Sequence, residues 1–204
     1  GRDVDIVLTT REAAKLFKLR GINLAAIQEE EFDDFMGEGS GAGRIFGTTG
    51  GVMEAALRTV VWKLTGGKID QIDYQEARGY KGLKEASVKI GDLEVKIAIV
   101  NGIGNVKPVM EDIRAGKSPY HFIEVMACPG GCLNGGGAPL TASPDMIARR
   151  MDQMYESDKN SAIRRSHENK EVQKLYEEYL KEPCGHISHH LLHTAYMDRS
   201  GEVR

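Results

Sequence analysis

Cysteine is scarce in this sequence. Its 204 residues hold three, Cys128, Cys132 and Cys184. So small and odd a number excludes a disulfide-stapled secreted scaffold and points to a reducing compartment, where thiols serve as ligands, redox groups or core filler. No apolar run comes near the roughly 18–20 residues that a membrane-spanning helix needs. The opening GRDVDIVLTT is not a signal peptide, because an acid interrupts its few apolar residues. Neither sign of charge dominates. The 27 Lys and Arg against 30 Asp and Glu leave a formal −3, too little to draw the chain to nucleic acid or anionic lipid. Internal repeats and low-complexity tracts are missing too. The expectation is a cytoplasmic globular protein, 41% apolar with 24 glycines, one domain or one domain with an appendage.

What is present reads as strands alternating with helices, the pattern of an α/β layer fold with a mixed sheet flanked by helices. Val4, Ile6, Val7 and Leu8 form a first strand, followed by a helix that Thr10 can cap and Gly21 terminates. An acidic stretch, EEEFDDFMGEGSGAG, leads to a helix over about 51–65 that Gly66 and Gly67 stop. ASVKIGDLEVKIAIV alternates on both sides of Gly91–Asp92, a hairpin signal. NGIGNVKPVMEDIRAGK gives a loop and a short helix, and YHFIEVMA looks like the most buried strand, ending at Cys128. After Pro144 the composition shifts to charged amphipathic helices without strands. The division expected is 1–142 as an α/β lobe and 143–204 as a helical arm lying over something larger.

The sharpest feature is EVMACPGGCLNGGG, Glu124–Gly137. A strand ending at Cys128 sets that thiol at the carboxyl edge of a sheet, where open α/β folds hold ligands. The turn PGG lets Cys132 return to the same face, and a helix starting there would stabilise thiolate. Gly135, Gly136 and Gly137 would permit close backbone approach and positive φ. Thiolate ligation of iron–sulfur clusters fits the spacing, but a cubane usually takes four thiolates. Two buried thiols in a glycine-rich turn fit the spacing equally well.

Other residues carry weaker signals. His186, His189, His190 and His193 partly share a helical face, so zinc is conceivable, against plain packing. Glu124 precedes the motif as one half of a structural ion pair or as a proton carrier. Glu54 and Arg58 have ordinary helical salt-bridge spacing. GSGAGRIFGTTGG fails as a dinucleotide loop because no strand precedes it. Trp62 reads as helix packing, and His167 beside Glu168 as a helix-start contact.

Longer strings are more specific. FIEVMACPGGCLNGGGAP (Phe122–Pro139) resembles a cluster signature of the iron-only, or di-iron, hydrogenases. SGAGRIFGTTGGVMEAALRT (Ser40–Thr59) is similar to a second segment of that family, and RRSHENKEVQKLYEEYLKEPCGHISHHLLHTAY (Arg164–Tyr196) to its small-subunit-like belt. The resemblance implies an H-cluster, a [4Fe–4S] cubane joined through a cysteine sulfur to a two-iron unit carrying CO, cyanide and a bridging dithiolate, which interconverts H2 and protons. It implies that Cys128 and Cys132 ligate the cubane, with Cys132 as the bridge, and that Met126, Phe46 and Gly47 line the two-iron side. The family's T-S-C-C-P and M-P-C-x-x-K signatures do not occur here. The expected partners are therefore an N-terminal half of the hydrogenase and an electron carrier such as ferredoxin or NAD-linked subunits. A hydrogenase-like iron–sulfur assembly or carrier protein, holding cubanes only, is the alternative.

Overall fold

The computed structural model describes residues 4–31, 39–79, 81–139, 143–198 and 201. Residues 32–38 of the acidic run and the expected boundary at 142 lie outside these described residues.

The sheet has three strands, β1 (Leu83–Ile90), β2 (Leu93–Asn101) and β3 (Phe122–Met126), in the order β1-β2-β3. The β1–β2 pair is an antiparallel hairpin, with Ile90 opposite Leu93 and Gly91 turning at φ +61°. Then β2 pairs with β3 in parallel, Ile99 beside Glu124 and Asn101 beside Met126. As parallel pairing requires, the link between them crosses over through a helix. The sheet is therefore mixed, and the fold class is α/β as the pattern implied.

Seven helices complete the described chain: α1 (Thr10–Leu19), α2 (Gly41–Arg44), α3 (Gly51–Leu64), α4 (Val106–Arg114), α5 (Pro144–Lys159), α6 (Lys170–Leu175) and α7 (His186–Leu192). A π turn, Tyr176–Leu180, continues α6. Met53, Leu57 and Val61 on α3 meet Tyr74 and the sheet residues Val88, Ile90, Ile97 and Ile99 to form the core. Each such fully buried side chain contributes about 1.5–3 kcal/mol. From the second segment, α5 packs on α2.

Three sequence expectations are corrected. Val4–Leu8 is not a strand: no neighbour among the described residues pairs with it, and Val4, Ile6, Val7 and Leu8 are exposed. The cap of α1 is Thr9 rather than Thr10, in a reciprocal capping box with Glu12. The most buried strand is the central one, where Ile97–Val100 are wholly buried, whereas the edge strand β3 buries only Glu124.

Candidate metal centre

The parallel pair β2–β3 ends at the same edge of the sheet. There Gly102 N–H donates to Met126 O at 2.8 Å and Ile103 N–H to Ala127 O at 3.0 Å. Two residues beyond β3 comes Cys128, whose carbonyl accepts from Gly131 N–H at 2.9 Å. Gly130 and Gly131 are consecutive residues at φ +87° and +84°, a conformation that side-chain-bearing residues resist. The chain then makes one 3₁₀ turn, Gly131–Asn134, which carries Cys132. The helix expected at this point is no more than that single turn, so little dipole faces the thiols.

A cavity of about 440 Å³ opens on this loop, lined by Met126, Ala127, Cys128, Gly131, Cys132, Gly135 and Gly136. Both thiols are free, Cys128 half-buried and Cys132 exposed. The lining is almost all backbone, thiol and thioether. A Cβ on Gly135 would stand 3.8 Å from Cys128 Sγ, in ordinary van der Waals contact with it. The positive φ values fall at Gly130, Gly131 and Gly137 and not at Gly135 or Gly136, because the reversal is made inside the loop rather than behind it.

The segment Ile45–Gly51 backs the loop. A Cβ on Gly131 would fall 2.7 Å from Gly47 O, 2.9 Å from Thr49 N and 3.0 Å from Met126 Sδ. Met126 and the Gly47 backbone therefore converge on the two-cysteine loop. Phe46, half-exposed, does not line the cavity. Cys184 is exposed in the helical segment, away from the cavity.

Glu124 is buried, and its partners are amides rather than a cation. Oε1 accepts from Gly50 N–H at 2.6 Å and Oε2 from Met53 N–H at 2.7 Å. It thus serves the first turn of α3, whose own cap, Gly50, has no side chain to do so. Burial pushes its pKa up, and those amide bonds pull it back down. No ion pair to Lys or Arg forms at this carboxylate among the described residues, since the geometry of the α3 amides occupies both oxygens.

Glu54 and Arg58 form the salt bridge that their spacing implied, at 2.9 Å, and are the buried centre of a charge cluster. Arg58 binds Asp158 of α5 through Nη1 at 2.7 Å and Nη2 at 2.8 Å, with every partner side chain fully buried. Spacing could reveal the i, i+4 pair but not an acid 100 residues away. The His167 ring packs on α3, 4.6 Å from Trp62 with Nδ1 2.9 Å from Thr59 Oγ1, while its carbonyl makes the helix-start contact, accepting from Gln173 Nε2 of α6 at 2.7 Å. His189 and His193 stack edge to face at 4.4 Å. Among the described residues no three of His, Cys, Asp and Glu come together as a metal-binding group.

A family model described as iron only hydrogenase large subunit, C-terminal domain, matches residues 1–136. A second, iron hydrogenase small subunit, matches residues 144–199. The NADP-reducing hydrogenase subunit HndD of Solidesulfovibrio fructosivorans is 45% identical over 97% of this chain and 34% of its own length. Cytosolic iron-sulfur assembly component 3 of Rattus norvegicus is 31% identical over 96% of this chain and 41% of its own. Among solved structures, a variant of the [FeFe]-hydrogenase HydA1 from Chlamydomonas reinhardtii superposes with a TM-score of 0.74 at 40% identity, covering 95% of this chain and 55% of that one. The chain thus spans about a third of the length of the curated hydrogenase it matches.

Proposed function

The chain belongs to the iron-only hydrogenase family, and from that premise we propose that it supplies Cys128 and Cys132 as two ligands of a [4Fe–4S] cubane in a hydrogenase centre. The activity proposed is reversible H2 oxidation and proton reduction. One observation carries the reading: two free thiols, four residues apart, face a single cavity lined by backbone and apolar groups at the carboxyl edge of parallel strands.

The donor set fits half of such a cluster. Two thiolates are half of the four a cubane usually takes, so the remaining two come from another stretch of polypeptide, the N-terminal half of the family's catalytic domain. When bound, the H-cluster supplies the hydrogen chemistry through its cubane and its two-iron unit with CO, cyanide and bridging dithiolate, while protein surroundings tune it. In this chain Cys132 is the proposed bridge between the two units. Met126 excludes water from the two-iron side, the Gly47 backbone packs close to it, and Phe46 forms an outer wall that the other half covers. Residues 1–142 act as the large-subunit lobe and 143–204 as the belt. Ferredoxin or NAD-linked subunits are the proposed electron carriers, and the cytoplasm the proposed location.

The likeness to a cytosolic iron–sulfur assembly component supports a second reading, a carrier that holds cubanes only. The higher identity to HndD favours the hydrogenase. The experiment combines the purified chain, without oxygen, with a polypeptide bearing the T-S-C-C-P and M-P-C-x-x-K signatures, iron, sulfide and the two-iron cofactor. Infrared bands of CO and cyanide are the expected result. A cubane EPR signal without those bands makes the chain a carrier, and stoichiometric iron on the isolated chain refutes the half-site.

A further inference from the structure

One residue of the two-cysteine loop is gripped through both of its backbone polar groups. Gly130 N–H donates to Asn101 Oδ1 at 2.8 Å, and Gly130 C=O accepts from Thr49 N–H at 3.4 Å. Asn101 closes β2 and is only 4% exposed. Thr49 is held in its turn, because the next amide, Gly50 N–H, donates to Glu124 Oε1 at 2.6 Å. Glu124 sits on β3 four residues before Cys128, and β3 pairs with β2 beside Asn101. The contacts close a ring: β3, the start of α3, the cysteine loop, the end of β2, and β3 again.

The ring has a mechanical meaning. Gly130 and Gly131 are the most permissive residues a loop can contain, and both are at positive φ. Nothing in their own side chains selects this conformation, so the separation of the two thiols depends on what grips the backbone between them. Neither Asn101 nor Glu124 lines the cavity, so both act through the loop.

We propose that Asn101 and Glu124 are the positioning residues of the Cys128–Cys132 dithiol, holding both sulfurs ready for one metal centre before any metal arrives. This rests on the cluster-ligand reading only for the identity of the metal, and the test avoids iron altogether.

The probe is phenylarsine oxide, added to the full chain carrying Cys184→Ser so that two thiols remain. One arsenic takes both sulfurs as two As–S bonds form, the As–O bond breaks and one water leaves with both thiol protons, without change of oxidation state. Asn101→Leu, which removes the acceptor at similar volume, should weaken capture about tenfold, and Glu124→Gln about threefold. Asn101→Asp keeps an acceptor and should stay within about twofold of the parent. A variant that is merely less stable, yet folded at the assay temperature, keeps the parent's affinity. Folded Asn101→Leu and Glu124→Gln that capture arsenic as tightly as the parent overturn the proposal. Should both variants fail to fold, the parent's Gly130 amide decides: slow hydrogen exchange is expected, and exchange at the rate of an open loop overturns it. If arsenic capture ranks as described while the chain combined with the polypeptide bearing the T-S-C-C-P and M-P-C-x-x-K signatures, iron and sulfide gives no cluster, the positioning role stands and the cluster reading falls.

Discussion

The ammonium of Lys84 donates to the carbonyl oxygens of Ala77 and Gly79 and lies beside the Gly50 turn, close to where a Cβ on Gly50 would stand. Burial lowers its pKa from 10.5 to about 8, opposed by attraction to Glu124 and Glu54. The sign of the pH dependence follows. Below about pH 8 the group is protonated folded and unfolded, and its contribution is constant. Between about 8 and 10.5 the unfolded chain still holds the proton that the folded chain has released, so this group makes the fold more stable as pH rises. The expected result is a stability gap between the parent and Lys84→Met that is flat from about pH 6 to 7.5 and moves in the parent's favour above about 8. Denaturant midpoints read it, and a gap that shrinks across that window refutes the buried-amine account. Burial pushes Tyr74 and Tyr155 up to about 12 from 10, so they lower stability as pH rises above about 10, but they do so in parent and variant alike and cancel in the gap. Nothing in the sequence distinguishes Lys84 from its neighbours, because the carbonyls that hold it belong to a turn with no pattern of its own.

Element ends were legible wherever the signal is local. Gly21 ends α1, Gly66 follows α3, and Gly91 turns the hairpin, each by its own backbone chemistry, whereas the sequence pattern puts the cap of α1 one residue late, at Thr10 instead of the Thr9–Glu12 box. Strand pairing is different, since whether Val4–Leu8 or Phe122–Met126 is central, edge or unpaired depends on chain far away. The glycines near the site show the same divide. Gly51 has no room for a side chain: a Cβ would fall 1.7 Å from Ile45 O and 2.5 Å from Ile45 C, both backbone atoms. At Gly136 a Cβ would meet nothing within 4 Å, and its φ is not positive. Gly51→Ala should therefore cost about 1–3 kcal/mol or more by overpacking the entry to α3. Gly136→Ala should stay within about 0.5 kcal/mol. Urea unfolding compares them, and equal midpoints would mean that the Ile45–Gly51 turn yields easily, weakening any claim that it supports the cysteine loop. The sequence presents both positions alike, as glycines in glycine-rich strings. Only the packing separates them.

On the scale of the whole molecule, the two segments that match separate family models meet at Arg58. All five of its N–H donors are used: Nε to Ile72 O, Nη1 to Asp158 and Arg164 O, and Nη2 to Glu54 and Asp158. Asp158 also accepts from Arg164, and Glu54 from Arg78, whose guanidinium lies 4.1 Å over the Tyr155 ring. Gly41 of α2 leaves space for this, because a Cβ there would strike Asp158 Oδ1 at 2.1 Å. Removing one member of a buried ion cluster strands the others without water, a cost of about 3–5 kcal/mol. Asp158→Ala should lower stability by about that amount. Arg58→Lys should rescue little, since an ammonium has three donors and cannot reproduce the planar fork. The consequence reaches beyond stability. A chain cut after residue 142 would leave Arg58 buried without its α5 carboxylate, so it should unfold in much less urea than the full chain. The full chain should melt in one transition seen alike by far-UV dichroism and Trp62 fluorescence. Two separate transitions, or a truncated lobe as stable as the parent, would make residues 143–204 an independent arm. One shared transition makes the belt part of the scaffold behind the first turn of α3, and so part of what supports the two-cysteine loop.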